Sequence, residues 1–539
     1  MKNYKVKIVS LMMAFMAIST ACDDILDTEP LGQETGQNYL NDPINAEQAV
    51  NAVYDVLHWD EGGKNSGHTY EWMFGDVLSD DADKGSKPGD FLEIQEMSEW
   101  RTNSSHGITA STWNNNFHGI YRANFIIENM PNATIDEDLK SRLIGEAYFL
   151  RGYYYLYLTQ KFGGLPLFDR PVDPGDYRNI GTIQRATLAE TLAFIVESFD
   201  LASPLLPEIH ADDDLGRATS GASRAYKART MIYEMGVTNS AGFTWQQVLD
   251  ATDSVIGSGV YSISGVNFAQ MIEDEGENGI NSVFEVQNVS NNEGWGPIKA
   301  GTTNNIIQAN RSDWGWGFNN PTQALIDSYE TGDPRIACTV YADGDVVHGE
   351  VQTIPFPDEN STGYLNRKAA VEPGIRSTTD GKDSPQNVRK MRYADVLLMN
   401  AEAAYHTGDA TKANNRVNQV RQRAKSSTRP KGSQEGSLGY VAYSAAELTG
   451  VLNDISLSGT PLLDAIHAER RCEFAMEGQR FYEMVRTGIY MTYIATLGSE
   501  IEANCTSHLI TDGVVNPVPV LAIPLNEVQS WGLAQNPGY

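Results

Sequence analysis

Cysteine is scarce in this chain, with 4 in 539 residues. None of Cys22, Cys338, Cys472 and Cys505 stands in a C-x-x-C pair, which excludes the common zinc and redox motifs and any disulfide scaffold. A single bridge from Cys338 to Cys505 stays open, and Cys472 falls inside a helical pattern as a core residue. Positive charge is the second shortage. Against 70 Asp and Glu there are only 40 Lys and Arg, a formal net charge of −30. Such a surface repels phosphate backbones and excludes nucleic acid as the expected partner. Long apolar runs are missing after the first residues, so no transmembrane helix is expected downstream. Catalytic motifs are missing as well: there is no H-E-x-x-H, no Walker loop, no G-x-S-x-G and no G-x-G-x-x-G opening a helix. The nine histidines are scattered. Carboxylates are too numerous for counting to exclude a glycosidase pair, but nothing singles out one acid and one base. What remains is a large water-soluble body whose 41% hydrophobic content is enough for a substantial core.

The N-terminus has a strong pattern of its own. Lys2, Lys5 and Lys7 precede an apolar run from Ile8 to Ile18, and Ser19-Thr20-Ala21 leads into Cys22. The run is too short to span a bilayer as a mature helix. Small residues before a cysteine resemble a bacterial lipobox, with Ser19 in place of the usual leucine. On this reading residues 1–21 are removed, Cys22 carries palmitate-type acyl chains, and two or more such chains anchor the protein stably. Residues 22–40 form an acidic, polar tether. The body is expected over 41–539, with a helical scaffold at 41–256 and 382–539 around a loop-rich insert at 257–381.

The helices are legible from their periodicity. Asp42-Pro43 is an N-cap followed by proline at the first helical position, and Ala46, Val50, Val53 and Leu57 share the face that follows. Trp113, Phe117, Ile120 and Ile127 mark a second helix ending at Met130-Pro131. Leu143, Ala147, Leu150, Tyr154 and Leu158 mark a third, stopped at Gly163-Gly164. Further helices are expected over 187–202 and 219–237. Two more, joined by a turn at Gly408-Asp409, form a unit shaped like a tetratricopeptide pair. A last long helix is expected from Pro461 to Arg486.

Candidate binding residues fall in two distant stretches. The first holds Trp72, the acidic cluster Asp80, Asp81 and Asp83, and Trp100; the cluster reads equally as a helix end with a surface loop or as ligand-facing. The second holds Trp295, Arg311, Trp314 and Trp316, whose tryptophans are flanked by Gly, Asn and Asp rather than set on a helical stripe. A flat aromatic beside amides and acids suits a sugar, whose C–H face stacks while its hydroxyls take hydrogen bonds. If the stretch is extended, Trp314 and Trp316 share one face. Asp274-Glu275-Gly276-Glu277-Asn278-Gly279, with Glu285 twelfth, resembles a calcium-binding EF-hand loop. Gly276 removes one ligand, however, and Val283 to Val286 looks like a strand where that motif continues as helix. The reading is a solvated acidic turn and no cofactor is expected; a structural calcium ion is left open as an unsupported alternative.

Several segments in order resemble the SusD/RagB family of outer-membrane nutrient-uptake lipoproteins. They are Cys22-Asp23-Asp24-Ile25-Leu26-Asp27; Trp113 through Tyr121-Arg122-Ala123-Asn124; Glu146-Ala147-Tyr148-Phe149-Leu150-Arg151-Gly152 closing on Phe162-Gly163-Gly164-Leu165-Pro166; Arg392-Tyr393-Ala394-Asp395; Glu469-Arg470-Arg471-Cys472-Glu473-Phe474; and the final Gln535-Asn536-Pro537-Gly538-Tyr539. Gln479 stands where the family often has histidine. The resemblance implies a mostly α fold of four tetratricopeptide-like helix pairs, with an irregular, loop-rich ligand-binding region and a few short strands. It also implies a non-enzymatic glycan-binding lipoprotein, anchored in the outer membrane and facing the cell exterior, that delivers oligosaccharide to a SusC-like TonB-dependent transporter. The alternatives are a surface-anchored glycoside hydrolase using the 80–83 acids and a scaffold lipoprotein taking a non-glycan nutrient such as peptide. The family shares no binding motif, so no ligand residue carries over by sequence.

Overall fold

The computed structural model describes residues 36–63, 67–172, 183–290, 300–376, 383–433, 450–511 and 516–539. Its helices start where capping chemistry places them. The Asp42 carboxylate accepts from the backbone N–H of Ile44 at 2.8 Å and of Asn45 at 3.1 Å, opening α1 (Pro43–Trp59). After the short α2 (Glu71–Gly75) come α3 (Gly107–Asn129) and α4 (Glu137–Phe162), the latter opened by Asp136 and closed at Gly163, whose φ is +76°. Reciprocal capping boxes, Thr187 with Glu190 and Thr244 with Gln247, open α5 (Leu188–Ala202) and α7 (Trp245–Gly257), while Thr219 opens α6 (Ser220–Val237). Later come α8 (Asn304–Gln308), α9 (Tyr393–His406), α10 (Ala410–Lys425), α11 (Thr460–Phe474) and α12 (Arg480–Arg486).

Four helix pairs form the scaffold: α1 with α3, α4 with α5, α6 with α7, and α9 with α10. Each pair also packs on the next, so the helices stack in a row. α4 is the central member. It buries Tyr153, Tyr154, Tyr155 and Tyr157 in succession because neighbours cover it on several sides. α7, which the sequence did not announce, packs directly on α9 although the whole insert separates them in the chain. The insert is thus a decoration spliced into an unbroken helical row. One main core runs from Leu40 to Leu533 and reaches Ile307 and Phe318 in the insert.

The insert folds through small antiparallel ladders of two strands each. β1 (Ala82–Gly85) pairs with β3 (Phe318–Pro321), setting Ala82 opposite Pro321 and Gly85 opposite Phe318. β2 (Ser282–Val286) pairs with β4 (Val388–Arg392), returning the chain to α9. Two expectations are corrected. The helix expected from Pro461 to Arg486 is two helices, because Met476 and Gly478 adopt φ of +61° and +70° between them. That break lets Gly478 lie against Gly75, where an added Cβ would come within 1.9 Å of the Gly478 carbonyl oxygen. The Cys338–Cys505 bridge left open is not formed: both are free, buried thiols, as is Cys472. Among the described residues no helix is long and apolar enough to cross a membrane. The Asp274 stretch is a turn of 3-10 helix leading to β2, and the Glu285 carboxylate accepts from the Asn278 backbone N–H at 3.2 Å and from the Asn387 side-chain amide, beside β4, at 3.1 Å.

Candidate functional site

The two stretches singled out in the sequence meet in space. The β1–β3 ladder joins them, and Arg311 completes the join by donating to the Asp90 carboxylate at 2.7 Å and to Ser86 Oγ at 2.8 Å. Beneath the ladder the aromatics form an interior stack. Trp72 lies between Tyr70 at 5.6 Å and Phe318 at 6.5 Å, with Phe91 edge-on to Phe318 at 6.0 Å. Trp72 is only 4% exposed. It therefore serves as packing at this join and presents no face to the outside.

The other candidates separate in the same way. Trp100 is 1% exposed and donates its indole N–H to the Tyr490 hydroxyl at 3.0 Å, so it is an anchor of the core and not a ligand platform. Asp80 and Asp81 are engaged by the C-terminal helices. Arg480 donates to Asp80 at 2.7 Å, and Arg471 reaches Asp81 at 2.7 Å and Asp80 at 3.0 Å. Burial would raise Asp80, but Arg480 and then Arg471 outweigh it and hold the carboxyl below its ordinary value. Burial prevails at Asp81 and pushes it up against the same two arginines. Asp83 alone of the three is exposed, on the outer face of β1. Cys22 and Trp295 lie outside the described residues.

The outward surface is built around Trp314 and Arg311. The backbone there is not extended: Asp313 and Gly315 both donate to the Asn310 carbonyl, closing a turn. Gly315 sits so close to the Ala309 carbonyl that an added Cβ would fall 2.2 Å from its oxygen. The turn sends the two tryptophans to different surroundings. Both are half-buried, but Trp316 packs against the main core, whereas Trp314 lies beneath the Arg376 guanidinium, 4.6 Å from its ring centre. Arg376 is held in turn by Asp313 at 3.0 Å. The segment 350–360 closes this surface. Asn310 donates to Gln352 Oε1 at 3.0 Å, Lys87 pairs with Glu359 at 3.2 Å, and Phe356 stands 57% exposed. Arg376, Phe356 and Glu359 were not foreseen. Phe356 precedes Pro357 in a polar run, and that isolated aromatic was the one available signal.

Chemically the surface offers a held indole, a second exposed ring, and polar groups of both signs at their rims. That combination suits an uncharged ligand with flat apolar faces and many hydroxyls. Among the described residues no group of three His, Cys, Asp or Glu side chains could hold a metal ion.

Comparison with known proteins bears on these features. A family model described as "SusD family" matches residues 281–539, and one described as "Starch-binding associating with outer membrane" matches residues 26–232. A SusD-like protein of Formosa agariphila is 21% identical over 99% of this chain and 99% of its own length. Among solved structures, a "Laminarin binding SusD-like protein" superposes with a TM-score of 0.71 at 26% identity, covering 92% of this chain and 99% of the other. Surface glycan-binding protein A of Bacteroides thetaiotaomicron, solved in complex with laminarihexaose, superposes with a TM-score of 0.68 at 21% identity, covering 92% and 99%.

Proposed function

This chain belongs to the SusD/RagB family, and from that premise we propose that it captures glycan at the cell surface, without turning it over, for an outer-membrane importer. The observation that carries the reading is the likeness, over 92% of the chain, to a laminarin-binding protein of the family. The outward surface supports it: Trp314 under Arg376 supplies a stacking face, and Phe356, Asp313 and Arg311 supply the rim. The rival reading as a glycosidase loses two of its three acids, since Asp80 and Asp81 are committed to Arg471 and Arg480. A glycan array followed by calorimetry on the purified chain tests the reading. Binding of a neutral glycan with no sustained product release is expected. Product accumulating in proportion to protein would overturn it.

Two further parts of the reading concern context. Cys22 carries lipid and holds the body at the outer membrane by the polar tether, with the loop-rich side outward; Cys22→Ala is expected to yield a form that leaves the membrane fraction. The ligand passes to a SusC-like TonB-dependent transporter that packs on the helical side. Mild-detergent purification should recover a large barrel protein with this chain, and recovery of the chain alone would count against the partnership.

A further inference from the structure

The indole on the outward surface has no bed of apolar side chains. Among the described residues Trp314 joins none of the hydrophobic clusters, although Trp316, two residues on, packs against the main one. The turn that carries Trp314 is closed by backbone bonds to the Asn310 carbonyl. Those bonds place its Cα and leave the ring free to change rotamer. Among the described residues one charged group lies over the ring, the Arg376 guanidinium at 4.6 Å from its centre. A cation is attracted by the quadrupole of an indole, and a planar guanidinium also stacks on it.

That guanidinium is itself pinned by three segments of the chain. Its Nε donates to the Val371 carbonyl at 3.0 Å. Its terminal nitrogens meet the carboxylate of Asp313, the residue before the tryptophan, at 3.3 and 3.0 Å. Glu350 stands 3.6 Å away, on the hairpin of Val346–Val347 and Glu350–Val351. The hairpin is fastened at its tip, where His348 meets the buried Glu273 at 2.8 Å and the Gly349 N–H donates to the Gly432 carbonyl at 3.2 Å. Segments 310–315, 346–352 and 371–376 therefore converge on one arginine, whose side chain is only 15% exposed. A group fixed from so many sides is a brace for the ring it touches. An unbraced indole has to be ordered at the moment of binding, whereas a braced one is ordered beforehand.

We propose that Arg376 is a positioning residue of the glycan site: it stacks on one face of Trp314, fixes the ring and leaves the opposite face for a sugar, without touching the ligand itself. The inference rests on the reading of the Trp314 surface as the glycan site. The test is a double-mutant cycle on the full chain, with Arg376→Ala, Trp314→Ala and the two together. Each is titrated by calorimetry with neutral oligosaccharides, laminarihexaose first. Arg376→Ala should weaken binding about two- to tenfold, the span for ordering one side chain on binding, with the unfolding midpoint near that of the parent. In the Trp314→Ala background the same change should have no further effect, because the ring through which Arg376 acts is gone. Arg376→Lys keeps a charge near the ring but loses the planar fork held by Asp313 and Val371, so it should fall between the parent and the alanine variant. Ligand-free crystals of Arg376→Ala should show the indole in more than one rotamer, and bound glycan should return it to the parent's. An equal loss in both backgrounds would make Arg376 a ligand contact or a general support of the fold. Tighter binding by Arg376→Ala would put the guanidinium on the face the ligand needs. Either result, or an unchanged affinity, overturns the proposal. Failure of the glycan reading looks different, and the proposal falls with it: the parent itself then binds no neutral oligosaccharide, or Trp314→Ala leaves its affinity unchanged.

Discussion

The loop-rich half has an inner and an outer surface built from the same residue types and used in opposite ways. On the inner side Glu473 is fully buried and accepts from Arg392 at 2.6 Å, Arg335 at 3.2 Å and Arg423. On the outer side Arg311 meets Asp90 at 2.7 Å and Arg376 meets Asp313 at 3.0 Å, with 31% and 27% of the two acid side chains exposed. The bond lengths are alike, so length does not distinguish the two sets. Solvent does. A buried pair that loses one partner strands a charge in a medium of low dielectric, whereas an exposed pair that loses one is resolvated. The inner surface is therefore where the insert is fastened to the helices, and the outer one is free to change for a ligand.

The largest effect expected from this contrast is at Glu473. Burial would raise its carboxyl, but Arg423, Arg392 and Arg335 outweigh burial and hold it at about 2. Such a group contributes stability that is present above the ordinary carboxylate range and lost as pH falls through about 2. Glu473→Gln leaves three buried guanidinium groups short of charge and should cost about 3–5 kcal/mol by denaturant unfolding. Arg376→Ala on the outer side should cost under about 1 kcal/mol. Equal losses would remove the distinction between the surfaces.

The next effect is at Trp100, a residue of the inner set by burial. Trp100→Ala removes a ring packed against Phe481, Tyr490 and His508 and should cost about 3–5 kcal/mol. Glycan binding of the folded fraction should be unaltered. Loss of binding without loss of stability would return Trp100 to the ligand site.

A smaller effect, and one of opposite pH sign to Glu473, belongs to Asp76. It accepts from the Gly478 N–H at 2.9 Å and from Asn319 at 3.1 Å, yet burial prevails and pushes its carboxyl from 3.8 to about 7. A raised carboxyl contributes stability that is full below its unfolded value and lost as pH rises through the folded one. Between about pH 4 and pH 7, then, this residue favours the acidic side. Asp76→Asn cannot ionise and should be more stable than the parent by about 2 kcal/mol near pH 8, with no gain near pH 4. Thermal unfolding of both proteins across that range checks the sign, and parallel curves would show Asp76 to be charged throughout.

The helical half was legible from the sequence because its signals are local. Asp42-Pro43, the stripe from Leu143 to Leu158 and the Gly163 stop each act within a turn or two of themselves, and each stands where the sequence put it. The site was legible only as a pair of regions. The stretches around Trp72 and Trp314 meet through the β1–β3 ladder. Which tryptophan faces outward did not follow, because burial is set by distant partners. Tyr490 claims Trp100, and Phe318 and Tyr70 enclose Trp72. Two of the three acids are claimed in the same way: Arg471 and Arg480, 390 and 400 residues further along the chain, neutralise Asp81 and Asp80. The break at Met476 to Gly478 was hidden because Met476, a non-glycine residue, takes a positive φ there, and the approach the break permits is to a glycine in another region, Gly75.

The smallest effect on stability, and the most informative for function, is expected at Trp314. Its ring is half-buried under Arg376, and the backbone that carries it is closed by its own turn rather than by the ring. Removing the indole therefore leaves the turn intact, and Arg376 keeps Asp313 as a partner. Trp314→Ala should leave the unfolding midpoint near that of the parent while weakening a bound glycan by about 1–2 kcal/mol, roughly tenfold in affinity. Trp316→Ala provides the internal control. Its ring packs against the main core, so the same substitution two residues away should cost stability first and binding only through it. If both variants unfold alike, the outer surface is structural and the ligand must be sought elsewhere. If Trp314→Ala alone loses binding, the turn between Asn310 and Gly315 is what divides a ligand platform from the core within three residues.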